Sequence, residues 1–185
     1  MRDDEQPTTE PLDAELVARA RSGDESALSA LVNRHHAAAY RVALSLVRED
    51  DVAQDVVQDA FLKAFRALGG FRGDASFRTW LLTITANEAR GSLRKGARRM
   101  ETALEDAGPL ASDDADPAES AMTARESARA REMLERLPEK QRLSVSLRVD
   151  EGLSFREIGE IIGSSEGAAR VNYFHGIRRL RELME

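Results

Sequence analysis

Apolar residues recur every three or four positions through most of the chain, the spacing that places them on one face of an α-helix. The clearest instance is residues 51–68, DVAQDVVQDAFLKAFRAL, in which one face collects Val52, Val56, Val57, Ala60, Phe61, Ala64 and Leu68. No alternation of apolar and polar residues is long enough to indicate a β-sheet. The pattern therefore predicts an all-α fold of two small helical domains, residues 12–97 and 120–185.

A polar, acidic segment separates the two predicted domains. Residues 101–116, ETALEDAGPLASDDAD, carry little apolar periodicity and are followed by Pro117. A mixture of aspartate, alanine, glycine and proline is typical of a solvated linker, because it buries too little apolar surface to fold. We therefore expect residues 98–119 to form a flexible acidic linker.

The polar side of the helix predicted over 51–68 carries a single leucine among acids and amides. One interpretation is an ordinary solvated surface, since isolated exposed leucines are common. The other is a docking surface, where an apolar anchor ringed by carboxylates and amides suits a basic protein partner. The residues concerned are Asp51, Gln54, Asp55, Gln58, Asp59 and Leu62.

A second candidate surface follows a glycine-rich loop. Gly69, Gly70 and Gly73 allow this loop to approach a ligand closely. Ser76 is placed to cap a helix that opens at Phe77. Along that helix, hydroxyl, amide and guanidinium groups recur on one side and can contact phosphates and base edges, although a solvated basic helix end is the alternative. The row consists of Thr79, Thr83, Asn87, Arg90 and Arg94, with Trp80 at its edge and Lys95 beyond it.

The strongest local signal lies in the C-terminal domain. Ser154 and Glu157 have the spacing of a capping box and predict a helix over residues 155–162. Gly163 ends that helix, and Ser165 is placed to cap the next one. Two short helices joined by a glycine-containing turn of about three residues form a helix-turn-helix motif.

The second helix of this motif divides into an inward and an outward face. The residues predicted to pack inward are Ala169, Tyr173, Ile177 and Leu180. A recognition helix places its first residues against base edges and its later basic residues against phosphates. A helical hairpin used only for protein contacts is the alternative. The candidate DNA-contacting set comprises Ser165, Glu166, Gly167, Arg170, Val171, Phe174, His175 and Arg178.

Composition excludes several classes of protein. The 185 residues include no cysteine, which excludes a disulfide framework, a thiolate zinc site and a cysteine nucleophile. The N-terminus has no signal-peptide core, and no apolar run approaches the roughly 20 residues of a membrane span, so we expect a cytoplasmic protein. His35 and His36 lack metal-ligand spacing and are expected at the surface. We predict no metal, no cofactor and no enzymatic activity.

The net charge of −6 argues at first against nucleic-acid binding. Its distribution reverses that inference. Residues 71–100 carry seven bases against two acids, whereas residues 101–128 carry eight acids against one base. The acidity therefore lies mainly in the N-terminal tail and the linker, and two basic faces, 90–99 and 170–181, remain available for DNA.

Three stretches together resemble the sigma factors of bacterial RNA polymerase, in particular the extracytoplasmic-function group, which keeps only the second and fourth conserved sigma regions. They read DVAQDVVQDAFLKAF, FRGDASFRTWLLTITANEARGSLR and LPEKQRLSVSLRVDEGLSFREIGEIIGSSEGAARVNYFHGIRRLREL. The resemblance implies a protein that binds core RNA polymerase and directs it to promoters for transcription initiation. It also implies promoter DNA and an anti-sigma factor as partners.

The same resemblance gives each candidate surface a role. The surface around Leu62 would bind the clamp helices of the polymerase's largest subunit. The 69–76 loop and the helix after it would capture the melted −10 element, and the second helix of the helix-turn-helix would read the duplex −35 element. The residues implied at −10 are Phe71, Arg72, Thr79, Trp80, Thr83, Asn87, Arg90, Arg94 and Lys95.

Two features depart from the family pattern. Arg170-Val171-Asn172-Tyr173 stand where small hydroxyl or basic residues are usual, and Glu88 and Gly91 occur within the −10 helix. An alternative function is a polymerase-independent helix-turn-helix regulator that uses the first domain for dimerisation. In the sigma interpretation, polymerase fixes the separation of two weak readers and raises their effective concentration at the promoter.

Overall fold

The computed structural model describes residues 12–103, 129 and 132–184, with side chains to residue 99 in the first range, and these residues form only helices and connecting turns. The predicted all-α fold is confirmed. The first helical group consists of α1 (Asp13–Arg21), α2 (Glu25–Val47), α3 (Asp50–Ala67), a 3₁₀ turn (Leu68–Gly70) and α4 (Phe77–Ala103). The second helical group consists of residues 132–135, α5 (Glu139–Val149), α6 (Phe155–Ile162) and α7 (Glu166–Met184).

The first helical group packs α2, α3 and α4 against one another, with α1 across one side. Small residues on α2 allow this close approach, since Ala27, Ala39 and Ala43 are fully buried. Asp24 caps α2 by accepting hydrogen bonds from the backbone N–H groups of Ser26 and Ala27. Hydrogen bonds from the Ser26 side chain and from Arg19 lower the pKa of Asp24 to about 2.

The second helical group contains the helix-turn-helix that the sequence predicts. Ser154 and Glu157 form the capping box, and Gly163 ends α6 with a φ of 64°. In the next helix, the backbone N–H of Ala168 donates to Ser165 Oγ at 3.2 Å. Helix α7 also crosses α5 closely, because a Cβ atom at Gly176 would lie only 2.7 Å from Val145 Cγ2.

The two helical groups are in direct contact and share one continuous apolar core. Helix α4 packs on α6, α2 packs on α5, and the buried cluster runs from Leu31 and Leu81 to Leu147 and Ile158. Helix α4 continues to Ala103, past residue 97 where the first predicted domain ends. Residues 98–103 are mostly good helix formers, which accounts for this extension. Residues 104–119 of the predicted linker lie outside the described residues.

The expectation that both adjacent histidines lie at the surface is wrong for His35. Successive helix positions are 100° apart, and this rotation turns His35 toward the core side of α2 while His36 stays exposed. His35 Nε2 lies 2.8 Å from Asp13 Oδ2, and its ring packs 5.5 Å from the Phe77 ring, centroid to centroid. Burial lowers the pKa of His35, although Asp13 acts in the opposite direction.

Candidate protein-binding and nucleic-acid surfaces

The polar face of helix α3 is exposed to solvent and is a candidate protein-binding surface. Ala53, Val56 and Ala60 pack into the core, so the acids and amides on the other side point to solvent. Leu62 is 46% exposed among them. This α3 surface consists of Asp51, Gln54, Asp55, Gln58, Asp59 and Leu62, all of them exposed.

A groove of about 930 Å³ runs between α2 and α3, beside Leu62. Its apolar lining includes Phe61 and Phe65 from α3, and its polar rim includes His36 and Arg41 from α2. An exposed apolar anchor next to a partly apolar groove is the arrangement in which a protein partner buries a few side chains deeply. Sequence periodicity predicted the anchor, whereas the groove depends on the distance between two helices.

The glycine-rich loop leads into α4 through an aromatic cluster. Ser76 caps α4 as predicted, since its Oγ accepts from the backbone N–H of Thr79 at 3.1 Å. The Phe71 and Trp80 rings lie 4.8 Å apart between centroids, and Phe77 packs 5.9 Å from Trp80. Both Phe71 and Trp80 stay partly exposed, and aromatic side chains are the groups on which unpaired bases stack.

Sequence reasoning missed Arg21, which holds this loop in place. Its Nε donates to the backbone oxygen of Leu68 at 3.0 Å, and a second guanidinium nitrogen donates to the backbone oxygen of Phe71. Arg21 lies on α1, about fifty residues before the loop. Nothing in the local sequence pattern connects the two segments.

The polar row on α4 divides into an exposed and a covered part. Asn87, Arg94 and Lys95 are exposed, and Arg72 in the loop is exposed beside Asp74. Thr83 is half-buried and donates to the backbone oxygen of Thr79 at 2.8 Å. The remaining two members, Thr79 and Arg90, face the second helical group.

Thr79 and Arg90 bond across to the second helical group. Thr79 is fully buried, and its Oγ1 donates to Glu157 Oε1 at 3.0 Å. Arg90 Nε donates to Glu139 Oε1 at 2.9 Å. In this arrangement the second helical group leaves Thr79 fully buried and Arg90 partly buried.

The outward face of α7 is open. Gly167, Arg170, His175 and Arg178 are exposed, as are Ser165 and Glu166 at the start of the helix; Val171 and Phe174 are 56% and 60% exposed. Of the residues predicted to pack inward, Ala169 is fully buried, whereas Tyr173, Ile177 and Leu180 are partly buried. Helix α7 therefore projects a mixed basic and apolar surface, which suits the edges and methyl groups of the major groove.

Two arginines, one on this face and one from α5, lie over the same aromatic ring. The guanidinium carbons of Arg148 and Arg170 lie 5.1 Å and 5.2 Å from the centroid of Phe155. Arg170 also donates to Glu166 Oε1 at 2.9 Å. The ring and the carboxylate restrict Arg170 to the outward side of α7. The sequence singled out Arg170 but not Arg148, which comes from the end of α5.

Comparison with known proteins identifies the family. A model described as Sigma-70 region 2 matches residues 31–99, and one described as Sigma-70, region 4 matches residues 127–180. The chain belongs to the sigma-70 family. Sigma factors of this family support promoter-specific initiation by RNA polymerase.

Curated relatives place this sigma factor in the extracytoplasmic-function group, as the sequence resemblance implied. It is 36% identical over 185 residues to the RNA polymerase sigma-H factor of Pseudomonas aeruginosa, covering 96% of this chain and 94% of the relative. It is 35% identical over 181 residues to the ECF RNA polymerase sigma-E factor of Escherichia coli strain K12, covering 94% and 92%.

Solved structures of similar proteins share the fold. CnrH, solved in complex with the cytosolic domain of CnrY, aligns with a TM-score of 0.70 at 28% identity, covering 93% of this sigma factor and 96% of CnrH. The sigma factor RpoE of Bartonella quintana, solved with the anti-sigma factor NepR, aligns with a TM-score of 0.67 at 24% identity over 84% and 95%. Among the described residues, no helix combines the length and apolar character that a membrane crossing requires.

Proposed function

We propose that this sigma factor binds core RNA polymerase through the α3 surface, captures the melted −10 element with the 69–76 loop and α4, and reads the duplex −35 element with α7. The observation that supports this division is that one chain presents an apolar anchor on α3 and, separately, an open recognition helix. The polymerase forms the phosphodiester bonds of the transcript, and the sigma factor positions the polymerase at the promoter.

The α3 surface has the chemistry of a site for a basic helical partner. Asp55 and Asp59 lie about two turns and one turn before Leu62 on the same face of α3, so a partner that buries an apolar side chain on Leu62 brings its cations to these carboxylates. Gln54 and Gln58 add neutral hydrogen-bonding groups on the same face. The proposed partner at this surface is the clamp-helix region of the polymerase's largest subunit, as the family resemblance implies.

Capture at −10 is supported by aromatic rings next to cations. A base that leaves the duplex loses stacking, and the faces of Phe71 and Trp80 are able to replace it. Arg94 and Lys95 lie farther along α4, where they suit the strand's phosphates. Asn87 is exposed between these two regions and is the candidate for hydrogen bonding to a base edge.

Reading at −35 is supported by the exposed start of α7. Arg170 is restrained by Phe155 and Glu166 and has the donor geometry for guanine or for phosphate. Val171 and Phe174 are apolar and open, which suits thymine methyl groups. Arg178 lies two turns later and is placed for backbone contact.

An anti-sigma factor is the proposed protein regulator. CnrH, which is 28% identical to this chain, was solved with the cytosolic domain of CnrY bound, and the sigma factor RpoE of Bartonella quintana was solved with an anti-sigma factor. We propose that an inhibitory partner of this chain occupies the groove between α2 and α3, where it would cover Leu62. Binding there would exclude the polymerase directly.

Reconstituted transcription tests the function. The purified chain is mixed with core polymerase and a library of genomic promoter fragments, and runoff transcripts are sequenced. We expect transcripts that begin at a small set of promoters sharing −35 and −10 elements. A chain that neither co-purifies with core nor yields promoter-dependent transcripts contradicts the proposal. A sequence-specific footprint by the chain alone, unchanged by core, favours the independent regulator instead.

A further inference from the structure

Helix α1 contacts the 69–76 loop from outside the segment that matches sigma region 2. The region 2 match covers residues 31–99, whereas α1 spans Asp13–Arg21. Its apolar side packs into the first helical group through three buried residues, Leu16, Val17 and Ala20. This packing fixes the direction of α1 and brings Arg21, at its C-terminal end, to the beginning of the loop.

The Arg21 guanidinium bonds to the backbone on both sides of two adjacent glycines. Its Nε donates to the backbone oxygen of Leu68 at 3.0 Å, and its Nη2 donates to the backbone oxygen of Phe71. The Leu68 oxygen also accepts from the backbone N–H of Phe71 at 3.2 Å. Because the guanidinium is planar and its donors are fixed relative to one another, the two bonds set the positions of both carbonyl groups.

The carbonyl groups that Arg21 contacts lie just beyond the end of α3. This helix ends at Ala67, and the last carbonyl groups of a helix have no partner within it and carry partial negative charge. A guanidinium suits this position because it is a cation with several donors. Arg21 is itself exposed, so the contact orders the loop without forming part of the buried core.

The turn between Leu68 and Phe71 has wide conformational freedom of its own. Beyond the adjoining residues, no atom lies within 4 Å of the position that a Cβ atom would occupy at Gly69 or at Gly70. Side-chain packing therefore does not hold either glycine, and glycine loses more conformational freedom on ordering than any other residue. The two bonds from Arg21 supply a restraint that the turn itself lacks.

The order of this turn determines where the aromatic rings lie. The Phe71 ring lies 4.8 Å from Trp80 and meets Phe77 edge-on at 6.1 Å, between centroids. Helix α1 also supports Phe77, because Asp13 Oδ2 lies 2.8 Å from His35 Nε2 and the His35 ring packs on Phe77. Helix α1 therefore acts on the backbone that precedes the loop's exposed part and on the helix start that follows it.

We propose that Arg21 is a positioning residue for −10 recognition: it holds Phe71 beside Trp80 in the free chain, so the stacking surface exists before DNA arrives. A preformed surface lowers the ordering cost of binding. It also discriminates better than a mobile loop, because a mobile loop adapts to different ligands. The inference rests on the proposed function only for the identity of the ligand as an unpaired −10 base.

Trp80 fluorescence tests the positioning without DNA. Trp80 is the only tryptophan of the chain, so its emission reports on this loop alone. We expect Arg21→Gln to increase quenching of Trp80 by acrylamide, to a value between those of the parent and Phe71→Ala, because Phe71 then leaves the indole ring part of the time. Arg19→Gln is the matched control, since it removes a cation from the same helix but one that pairs with Asp24.

A second substitution separates position from charge. Arg21→Lys keeps the charge, but an ammonium does not reproduce the planar fork, so we expect it not to restore parental quenching. Circular dichroism and urea unfolding check that the variants keep their helical content, as the exposure of Arg21 leads us to expect. Parental quenching in Arg21→Gln overturns the proposal. Full restoration by Arg21→Lys also overturns it, because charge alone would then be sufficient.

The consequence for promoters is measured with holoenzyme. Each variant is combined with core polymerase, and open complexes are quantified on a promoter from the runoff experiment and on the same promoter with its −10 bases substituted. We expect Arg21→Gln to lower the ratio of the two yields roughly 3- to 10-fold, because ordering of the aromatic side chain then falls on the binding step. Co-purification with core should not change, and Arg19→Gln should keep the parental ratio. An unchanged ratio despite increased quenching contradicts the role in −10 recognition.

The positioning role and the proposed function fail in different ways. If the parent holoenzyme gives no promoter-dependent open complexes, the proposed function is wrong, and the quenching measurement still decides whether Arg21 orders the loop. If the parent holoenzyme is active and Arg21→Gln matches it in quenching and in the promoter ratio, the positioning role alone is wrong.

Discussion

Gly159 shows how one position in α6 restricts the turn of the helix-turn-helix. A Cβ atom there would lie 2.9 Å from the backbone oxygen of Ser164 and 3.1 Å from the backbone carbon of Ser165. Both atoms belong to the main chain of the turn, so neither can move aside as a flexible side chain would. The absence of a side chain at 159 thus allows α7 to follow α6 so closely.

We expect Gly159→Ala to destabilise the fold by about 1–3 kcal/mol, the usual effect of overpacking a filled site. Gly167→Ala is the matched control, because a Cβ atom there meets nothing within 4 Å and residue 167 lies in a helix. Its expected effect is a gain of about 0.5 kcal/mol or none. Urea unfolding followed by circular dichroism measures both. Equal midpoints for the two variants would disprove this account of the turn.

His35 makes the stability depend on pH. Burial lowers its pKa below the ordinary value of 6.5, so the folded chain resists the proton that the unfolded chain accepts. This stabilising contribution is complete above about pH 6.5 and is lost as the pH falls from there toward the folded-state pKa. The unfolded state binds more protons in that window, so the sign is a loss of stability on acidification.

The measurement compares the parent with His35→Gln at pH 7.5 and pH 5.5 by urea unfolding. The glutamine variant is expected to be less stable at both values, since it loses the ring contact with Phe77. Its decline on acidification should be shallower than the parent's, by at most about 1.4 kcal/mol per pH unit for one proton. An unchanged pH dependence in the variant would show that His35 does not titrate between the two states.

At the scale of the element, helix α3 packs one face into the core and presents the other face to solvent, where a partner is proposed to bind. Leu62 is 46% exposed on the open face and lies outside the buried core. We expect Leu62→Asp to keep the helical content and the unfolding midpoint while reducing co-purification with core polymerase at least about 10-fold, as loss of a central anchor does. Leu93→Asp, on α4 and 42% exposed, is the control for adding an acid at an exposed leucine. Equal losses in both variants would count against a specific α3 surface.

The helices whose signals are local are the ones the sequence predicts well. Ser154, Glu157 and Gly163 define α6 through bonds that span four residues or fewer, and the structure has its helix at 155–162. Helix α3 follows in the same way from its apolar period. The end of α4 was harder, because Gly96 stands beside the predicted boundary at residue 97 but does not end the helix, which runs on to Ala103.

Contacts between distant elements were not open to sequence reasoning. Arg41 and Glu151 are 110 positions apart, and Thr79 bonds Glu157 across 78 positions. The helical period of α4 places Thr79 on a polar row, but it does not indicate which distant residues of the chain pack against that row. For the same reason the sequence missed Arg148, whose position over Phe155 depends on how α5 meets α6.

At the scale of the whole molecule, the net charge of −6 affects how the free chain approaches DNA. The basic faces at 90–99 and 170–181 are local, while the chain as a whole repels a polyanion at long range. Polymerase would overcome this by holding both faces at a promoter, so that the second contact becomes intramolecular and gains a high effective concentration.

We therefore expect the free chain to bind a duplex promoter fragment weakly, and addition of core polymerase to tighten specific binding by roughly 10² to 10⁴-fold. Fluorescence anisotropy measures both affinities at one fixed salt concentration, because the phosphate contacts proposed for each face would make the affinity depend on salt. A fragment with its −35 element scrambled serves as control and should lose most of the gain, because only one face then engages. Tight specific binding by the free chain, with little change on adding core, would mean that the two faces act without a partner to align them.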